Sequence, residues 1–513
     1  MKRSNRSATL DSSSSLSIEP TDRPALDVRA RPDRVPLSFG QQRLWFIDRL
    51  GNASTEYNLP EAVRLLGPLD VDALERTIHT IVARHEVLRT HFSEIDGVPA
   101  QVIMPTLRIP LRVDDWRELP SALKHQRVIT SLREEADDPF DLTQGPLLRV
   151  RLFWLDDDEY IFVRTCHHIV SDGWSQAVFN YELTTVYEAY RNGRPSSLRP
   201  LPLQYADFAL WQRELHEAAA EEGLAYWKAQ LSGIPDRLEL PADRPRLAVQ
   251  TFAGAMCRVT LNAEQTATLK AFGRSQQATL YMTLLSGFAV LLSRYVGQDD
   301  CVVGSAVANR SDVRLREMIG FFGNSLVMRT RVRPDARVQE LVQQVRRTAI
   351  EAYRHQDVPF ERIVEELAPA RRLDVTPLFQ VMFALQSVPA VTLQLAGLAA
   401  EPISTFRPSN IGLGPLEAVA AQMLKARFDL EVHWFEDGGQ LECFWLYNRD
   451  LFDAWRMEQM LRHYVHLLEQ MVADPDRAVG SLALLAPEEQ RELLATSRGA
   501  DMAPAEATLV GLL

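Results

Sequence analysis

Apolar positions recur at two periods from about residue 37 onward, so the chain reads as helices mixed with short paired strands. Leu44, Trp45, Phe46 and Ile47 make residues 38–50 a short helix, and Leu74, Ile78, Ile81 and Val82 keep helical spacing behind a possible Asp70 cap. Residues 87–104 predict a hairpin folded at Asp96-Gly97, a type I′ signal. A second hairpin pairs 147–155 with 160–166 across Asp156-Asp157-Asp158, and a helix with Val178, Phe179, Leu183, Val186, Tyr187 and Tyr190 on one side ends at Gly193. Beyond the Pro- and Ser-rich stretch 194–202, helices are predicted at 211–231, behind the capping box Asn262-x-x-Gln265, and at 280–295, 338–353 and 454–472. Strands are predicted at 301–307 and 379–386, with a hairpin turning at Asp437-Gly438-Gly439. Hairpins among helices give a mixed α/β (α+β) class.

A length of 513 residues exceeds one ordinary core and implies at least two domains. The expected division is a flexible leader or docking segment at 1–35, lobes at 36–203 and 204–486, and a linker to a following domain at 487–513. A net charge of −12 argues against nucleic acid or an anionic membrane as partner. The four cysteines (Cys166, Cys257, Cys301, Cys443) fit neither a disulfide framework nor a zinc spacing, and read as reduced thiols of a cytoplasmic protein. The basic start, Met1 to Arg6, lacks the apolar run of a signal peptide, and no membrane span is indicated.

Chemistry concentrates in Cys166-His167-His168-Ile169-Val170-Ser171-Asp172-Gly173-Trp174-Ser175, between a strand and a long helix. Elsewhere, His85-Glu86 has Arg89 where a metalloprotease helix needs histidine, and no G-x-S-x-G, P-loop or Rossmann glycine pattern occurs. His463 and His466, at i,i+3, read as a solvated helix face with no third metal ligand. Adjacent strand residues face opposite ways, so only one of the two imidazoles can face a given cavity. Asp172, just before a turn glycine, is placed to brace the corner through an arginine. Imidazole suits a group that accepts and later releases a proton; the bland alternative is a satisfied core pair.

His167-His168-x-x-x-Asp172-Gly173 resembles the H-H-x-x-x-D-G signature of nonribosomal peptide synthetase condensation domains and of chloramphenicol acetyltransferase. The resemblance runs on through Ser38 to Trp45, Arg84 to Phe92, Tyr205 to Trp211, Ile319 to Ser325 and His355 to Glu361, from about residue 37 to 485. Two departures stand out. Gly323 and Ser325 replace a bulkier residue and the commoner threonine, and the final motif retains only Arg371, Pro377 and Leu378.

The resemblance implies two acetyltransferase-like lobes forming a V, with a tunnel between them. It implies substrates carried on 4′-phosphopantetheine arms of carrier proteins, and attack of an acceptor amine on a donor thioester. His168, His167, Asp172 and Gly173 make up the catalytic corner. His168 holds the amine, takes its proton or stabilises the tetrahedral intermediate; His167 and Asp172 are structural, and Gly173 offers backbone room or an N–H to the oxyanion. Asp172 pairs with Arg310, with Arg89 as rival. Trp174, Ser175, Asn324, Gly323, Gln356 and Asp357 belong to motif framework and tunnel, as do Arg84 and Trp211 to the framework. A downstream peptidyl carrier protein and adenylation domain are the implied partners, for a monomeric protein with no metal and no resident cofactor. The donor is an acyl-CoA if this is a starter domain, the reading favoured by a native-looking N-terminus. It is an upstream carrier-bound group if this is an elongation domain for an L-configured donor. A non-catalytic recruitment platform is a further reading, against which the intact histidine motif counts.

Overall fold

The computed structural model describes residues 24–51, 55–368, 372, 374–386, 393–403 and 424–497. Two mixed sheets, each packed against helices, form two lobes. The first sheet orders as β12-β2-β7-β6-β5, with β2 (Asn58–Leu66), β5 (Arg112–Asp115), β6 (Leu148–Asp156), β7 (Glu159–His167) and β12 (Ala399–Ile403). Strand β7 lies at the centre, antiparallel to β2 and β6. Its alternation explains the layers. Tyr160 and Phe162 pack with Phe179 and Leu183 of α4 (Gly173–Arg191) on one side. Ile161 and Val163 pack on the other, with Val128 and Leu132 of α3 (Ser121–Asp137). A strand clad on both faces reads as a continuous apolar run. A small sheet of β1 (Val35–Pro36), β3 (Thr90–Ile95) and β4 (Val98–Ile103) carries the expected turn, with Asp96 at φ 53° and Gly97 at φ 78°.

The second sheet orders as β10-β9-β11-β13-β14-β8, comprising β8 (Gly254–Leu261), β9 (Asp300–Val307), β10 (Asn324–Arg331), β11 (Val381–Gln386), β13 (Leu430–Asp437) and β14 (Gln440–Asn448). Helix α7 (Leu280–Val296) is buried almost all round between this sheet and α10 (Ala454–Ala473); Leu284, Phe288, Leu291 and Leu292 fill the core. Its ends are set locally: Thr279 accepts from the Met282 N–H, and Gly297 leaves at φ 69°. The capping box predicted at Asn262 and Gln265 opens α6 (Ala263–Ser275).

The expected boundaries need correction. The cut at 203/204 falls where the lobes share elements. Helix α5 (Tyr205–Gln230) gives Tyr205, Phe208, Trp211 and Leu215 to the first core, whereas Trp227 near its end lies in the second. Residues 315–322 and 393–395 also complete the first core, and β12 pairs antiparallel with β2, whose edge would otherwise stay open. The leader is not free over its described part. Leu26 is buried, the Trp211 indole donates to Pro24 O at 2.7 Å, and Asp207 accepts from Arg29 N and Arg31 at 3.1 and 3.2 Å. The start of the expected linker is a helix, α11 (Pro487–Ser497); Glu, Leu and Ala there are good helix formers. Residues 1–23, 498–513 and Arg371 lie outside the described residues.

His463 corrects the solvated-face reading: it is buried, its ring bonded to Tyr295 at 2.7 Å and Glu489 at 2.8 Å. The four cysteines are free and buried, and burial pushes the Cys166 thiol up to about 11. No single described helix is long and apolar enough to cross a membrane.

Candidate active site

Strand β7 ends at His167, opposite Asn58 of β2. His167 is 1% exposed, and its Nδ1 accepts from the Ile169 N–H at 3.1 Å, so the neutral ring carries its proton on Nε2. His168 opens a single tight turn, held by its N–H to Tyr57 O at 2.8 Å and by Ser171 N–H to its carbonyl at 3.2 Å. The residue as a whole is half-buried, and Phe321 of the second half meets its ring edge-on at 4.7 Å. Burial first, then the Arg427 charge, lowers the His168 pKa from 6.5 to about 4; burial lowers His167 to about 3. Both rings are therefore neutral at ordinary pH. Among the described residues His168 Nδ1 is buried without a hydrogen-bond partner, and no carboxylate backs the ring as in a serine-protease triad.

Asp172 turns the chain from this corner into α4. As N-cap it accepts from the Ser175 N–H at 2.8 Å. Its two oxygens also receive Arg310 at 3.0 and 3.2 Å and the Phe322 N–H at 3.1 Å. The Arg310 side chain is 1% exposed, donates to Leu315 O and Met318 O, and lies 4.0 Å from the Phe322 ring. Arg310, not Arg89, is the partner: Arg89 lies 3.7 Å from Glu86 and donates to Met104 O. Ser175 Oγ joins the lock, within 2.8 Å of Arg310 and bonded to Gly320 N at 3.0 Å.

The loop 319–323 is thus tied to the histidine corner along its length. Tyr205 donates to Phe321 O at 2.5 Å, and Ile319 N–H reaches His85 Nδ1 at 3.3 Å. His85 in turn bonds Glu182 of α4 at 2.9 Å, where Arg84 also donates at 2.8 Å. Gly320 is required, because a Cβ there would stand 2.1 Å from the Tyr205 ring.

The remaining expected residues fall into two groups. Asn324 is framework: its amide donates to Gln356 O and Val358 O at 2.8 and 2.9 Å, and its oxygen accepts from Phe360 N at 3.0 Å. That fixes the turn holding Gln356 and Asp357 before α9 (Phe360–Leu367). Trp174 donates to Arg316 O at 2.9 Å, another tie between the lobes. Gly173 and Gly323 leave room instead. A Cβ on exposed Gly173 would meet nothing within 4 Å, and one on Gly323 only ordinary contacts.

Tyr57, Glu182 and Arg427 were missed in the sequence. Glu182 is an acid at a buried helical position, which is a signal for a buried partner. Arg427, just before β13, reaches the histidines from far along the chain and leaves no local pattern.

A family model described as a condensation domain matches residues 32–494. Linear gramicidin synthase subunits C and D of Brevibacillus parabrevis are 44% and 41% identical, over 90% and 91% of this chain. The chain spans only 6% and 9% of their lengths. Among solved structures, the X-domain from teicoplanin biosynthesis superposes with a TM-score of 0.79 at 30% identity, over 90% of this chain and 100% of that one.

Proposed function

The chain belongs to the condensation domain family of nonribosomal peptide synthetases, amide-bond-forming acyltransferases, and on that premise we propose which substrates it joins and how. The donor is an acyl or peptidyl thioester on an upstream carrier protein, and the acceptor is the amine of an aminoacyl thioester on a downstream carrier. Both 4′-phosphopantetheine arms belong to the substrates, and an adenylation domain loads the acceptor carrier. Similarity at 41–44% to segments of a multi-subunit synthase supports a carrier-bound donor over the free acyl-CoA of a starter domain.

The observation that carries the reading is His168 itself: a half-buried residue with a neutral imidazole at a strand end, locked from behind and facing the second half's Phe321. The thioester is already activated, so alignment of the reactants is the main task, and alignment can supply a large part of the barrier. An α-amine has a pKa of about 7.7–8.0 and is partly neutral without help. A ring with a pKa of about 4 is a weak base. His168 therefore serves first as a hydrogen-bond acceptor that aims the amine lone pair at the carbonyl. It takes the proton once the new C–N bond makes that nitrogen acidic. Asp172 and Arg310 hold the corner in register, and Gly173 leaves space for the arms.

The test is reconstitution with a loaded donor carrier and a loaded acceptor carrier, reading the amide by mass spectrometry, with acyl-CoA as a parallel donor. Amide from the carrier-bound donor, lost in His168→Ala at unchanged melting temperature, is the expected result. Product from acyl-CoA alone would make this a starter domain. No product from any donor would point to a recruitment platform.

A further inference from the structure

Residues 424–428 cross from the second lobe onto the first and are fixed on both sides. Gly254 N donates to Leu424 O at 2.9 Å, Ala426 N to Phe252 O at 3.0 Å, and Lys425 Nζ to Asp137 Oδ1 of α3 at 2.8 Å. A Cβ on Gly254 would stand 2.6 Å from Leu424 O, so this seam has no slack. The segment delivers Arg427, whose guanidinium lies 5.8 Å from the centroid of the Tyr57 ring. Tyr57 is the histidine corner's neighbour: its ring centroid lies 6.4 Å from those of both His167 and His168, and its carbonyl receives the His168 N–H.

Among the described residues Arg427 has no close counter-ion. Among them its guanidinium makes no hydrogen bond and no ion pair within 4.0 Å, and its Nε is buried. The charged and titratable groups around it are Glu56, Glu431, Lys425, Tyr57, His167 and His168. Glu431 is already engaged, by the Arg427 backbone N–H at 2.8 Å and by His433 at 3.2 Å. Burial raises the Glu56 pKa, which weakens it as a partner. Arg427 is half-buried with its Nε lacking a partner, so a group that acquires negative charge nearby would give it a charge-assisted hydrogen bond.

We propose that the Arg427 guanidinium hydrogen-bonds the carbonyl oxygen of the donor thioester and carries the negative charge that oxygen gains when the amine adds. The inference rests on the reading of His168 as the group that holds the amine. The amine lone pair forms the C–N bond and the carbonyl π pair moves onto the oxygen beside Arg427. His168 takes one proton from nitrogen; the oxygen's electron pair then restores C=O, the C–S bond breaks, and the departing sulfur receives the proton from His168. A full positive charge outweighs one backbone N–H as an oxyanion donor.

Single-turnover rates with both carriers loaded test this in the wild type, Arg427→Met and Arg427→Lys. Loss of an oxyanion donor predicts a fall on the order of 10²-fold in Arg427→Met, with Arg427→Lys recovering most of it. Histidine-selective NMR titration supplies a second readout. Without the cation, the His168 imidazolium is no longer repelled and its pKa rises, a change that loosened packing around a charged Arg427→Lys would not produce. Should Arg427→Met unfold, Arg427→Gln keeps an N–H donor without the charge and is expected to show the same loss. Rates within twofold of wild type in Arg427→Met would overturn the proposal. So would equal losses in the Met and Lys variants with His168 titration unmoved. A wild type inactive with every donor would overturn the functional reading itself, a result distinct from failure of Arg427 alone.

Discussion

At the scale of single residues, the corner depends on one buried charge meeting another across the lobes. Asp172→Ala strands Arg310 in the interior and also removes the α4 cap. Such a broken buried pair costs about 3–5 kcal/mol, and urea unfolding is expected to show a loss of that size, with Asp172→Asn losing less. The histidines make a second, pH-dependent contribution. Their folded pKa values, about 4 for His168 and about 3 for His167, lie below the ordinary 6.5. Between pH 6.5 and 4 the unfolded chain therefore binds protons that the folded chain refuses, and stability falls as pH falls through that window. A drop of 2.5 pH units in one pKa corresponds to on the order of 3 kcal/mol. Melting temperatures from pH 7 to 4 are expected to decline steeply in the wild type and less steeply in a His168→Ala variant that remains folded.

At the scale of elements, β7, α4 and the loop 319–323 act as one piece. Gly320→Ala removes no functional group but drives a Cβ into Tyr205. Overpacking of this kind costs about 1–3 kcal/mol, and activity is expected to fall further than stability because Phe321 shifts against His168. The strand and helix of the corner were legible because their signals are local: an apolar run ending at His167, then Asp172 as a cap. Strand β2 was not. It carries Pro60, Glu61 and Arg64 inside a sheet, and the pattern makes sense only once Arg164 pairs with Glu61 and Glu159 with Arg64. Arg310 was reachable through family resemblance alone, and Glu182 and Arg427 not at all, because their neighbours are set by packing between distant segments. The helix at the start of the expected linker was missed for the opposite reason: a polar, Ala-rich stretch reads as loop, yet Glu489 finds His463 and Gln459 as partners.

At the scale of the molecule, the two lobes are not separable halves. Residues 24–203 alone lack Tyr205, Phe208, Trp211, Phe322 and Leu395 from their core and β12 from their sheet. Expressed separately, this fragment is expected to give an unfolded circular-dichroism spectrum and to gain structure only when 204–497 is supplied in trans. A folded, cooperative fragment would contradict the shared core. Strand β12 also has a mechanical meaning. It makes the second lobe grip the first by its backbone, through five paired residues running beside the strands that lead to His168. Pulling the lobes straight apart loads that whole ladder. Separating the lobes must therefore break this ladder together with the Asp172–Arg310 lock, so the backbone clasp at the sheet edge and the ionic clasp at the histidine corner open only as one.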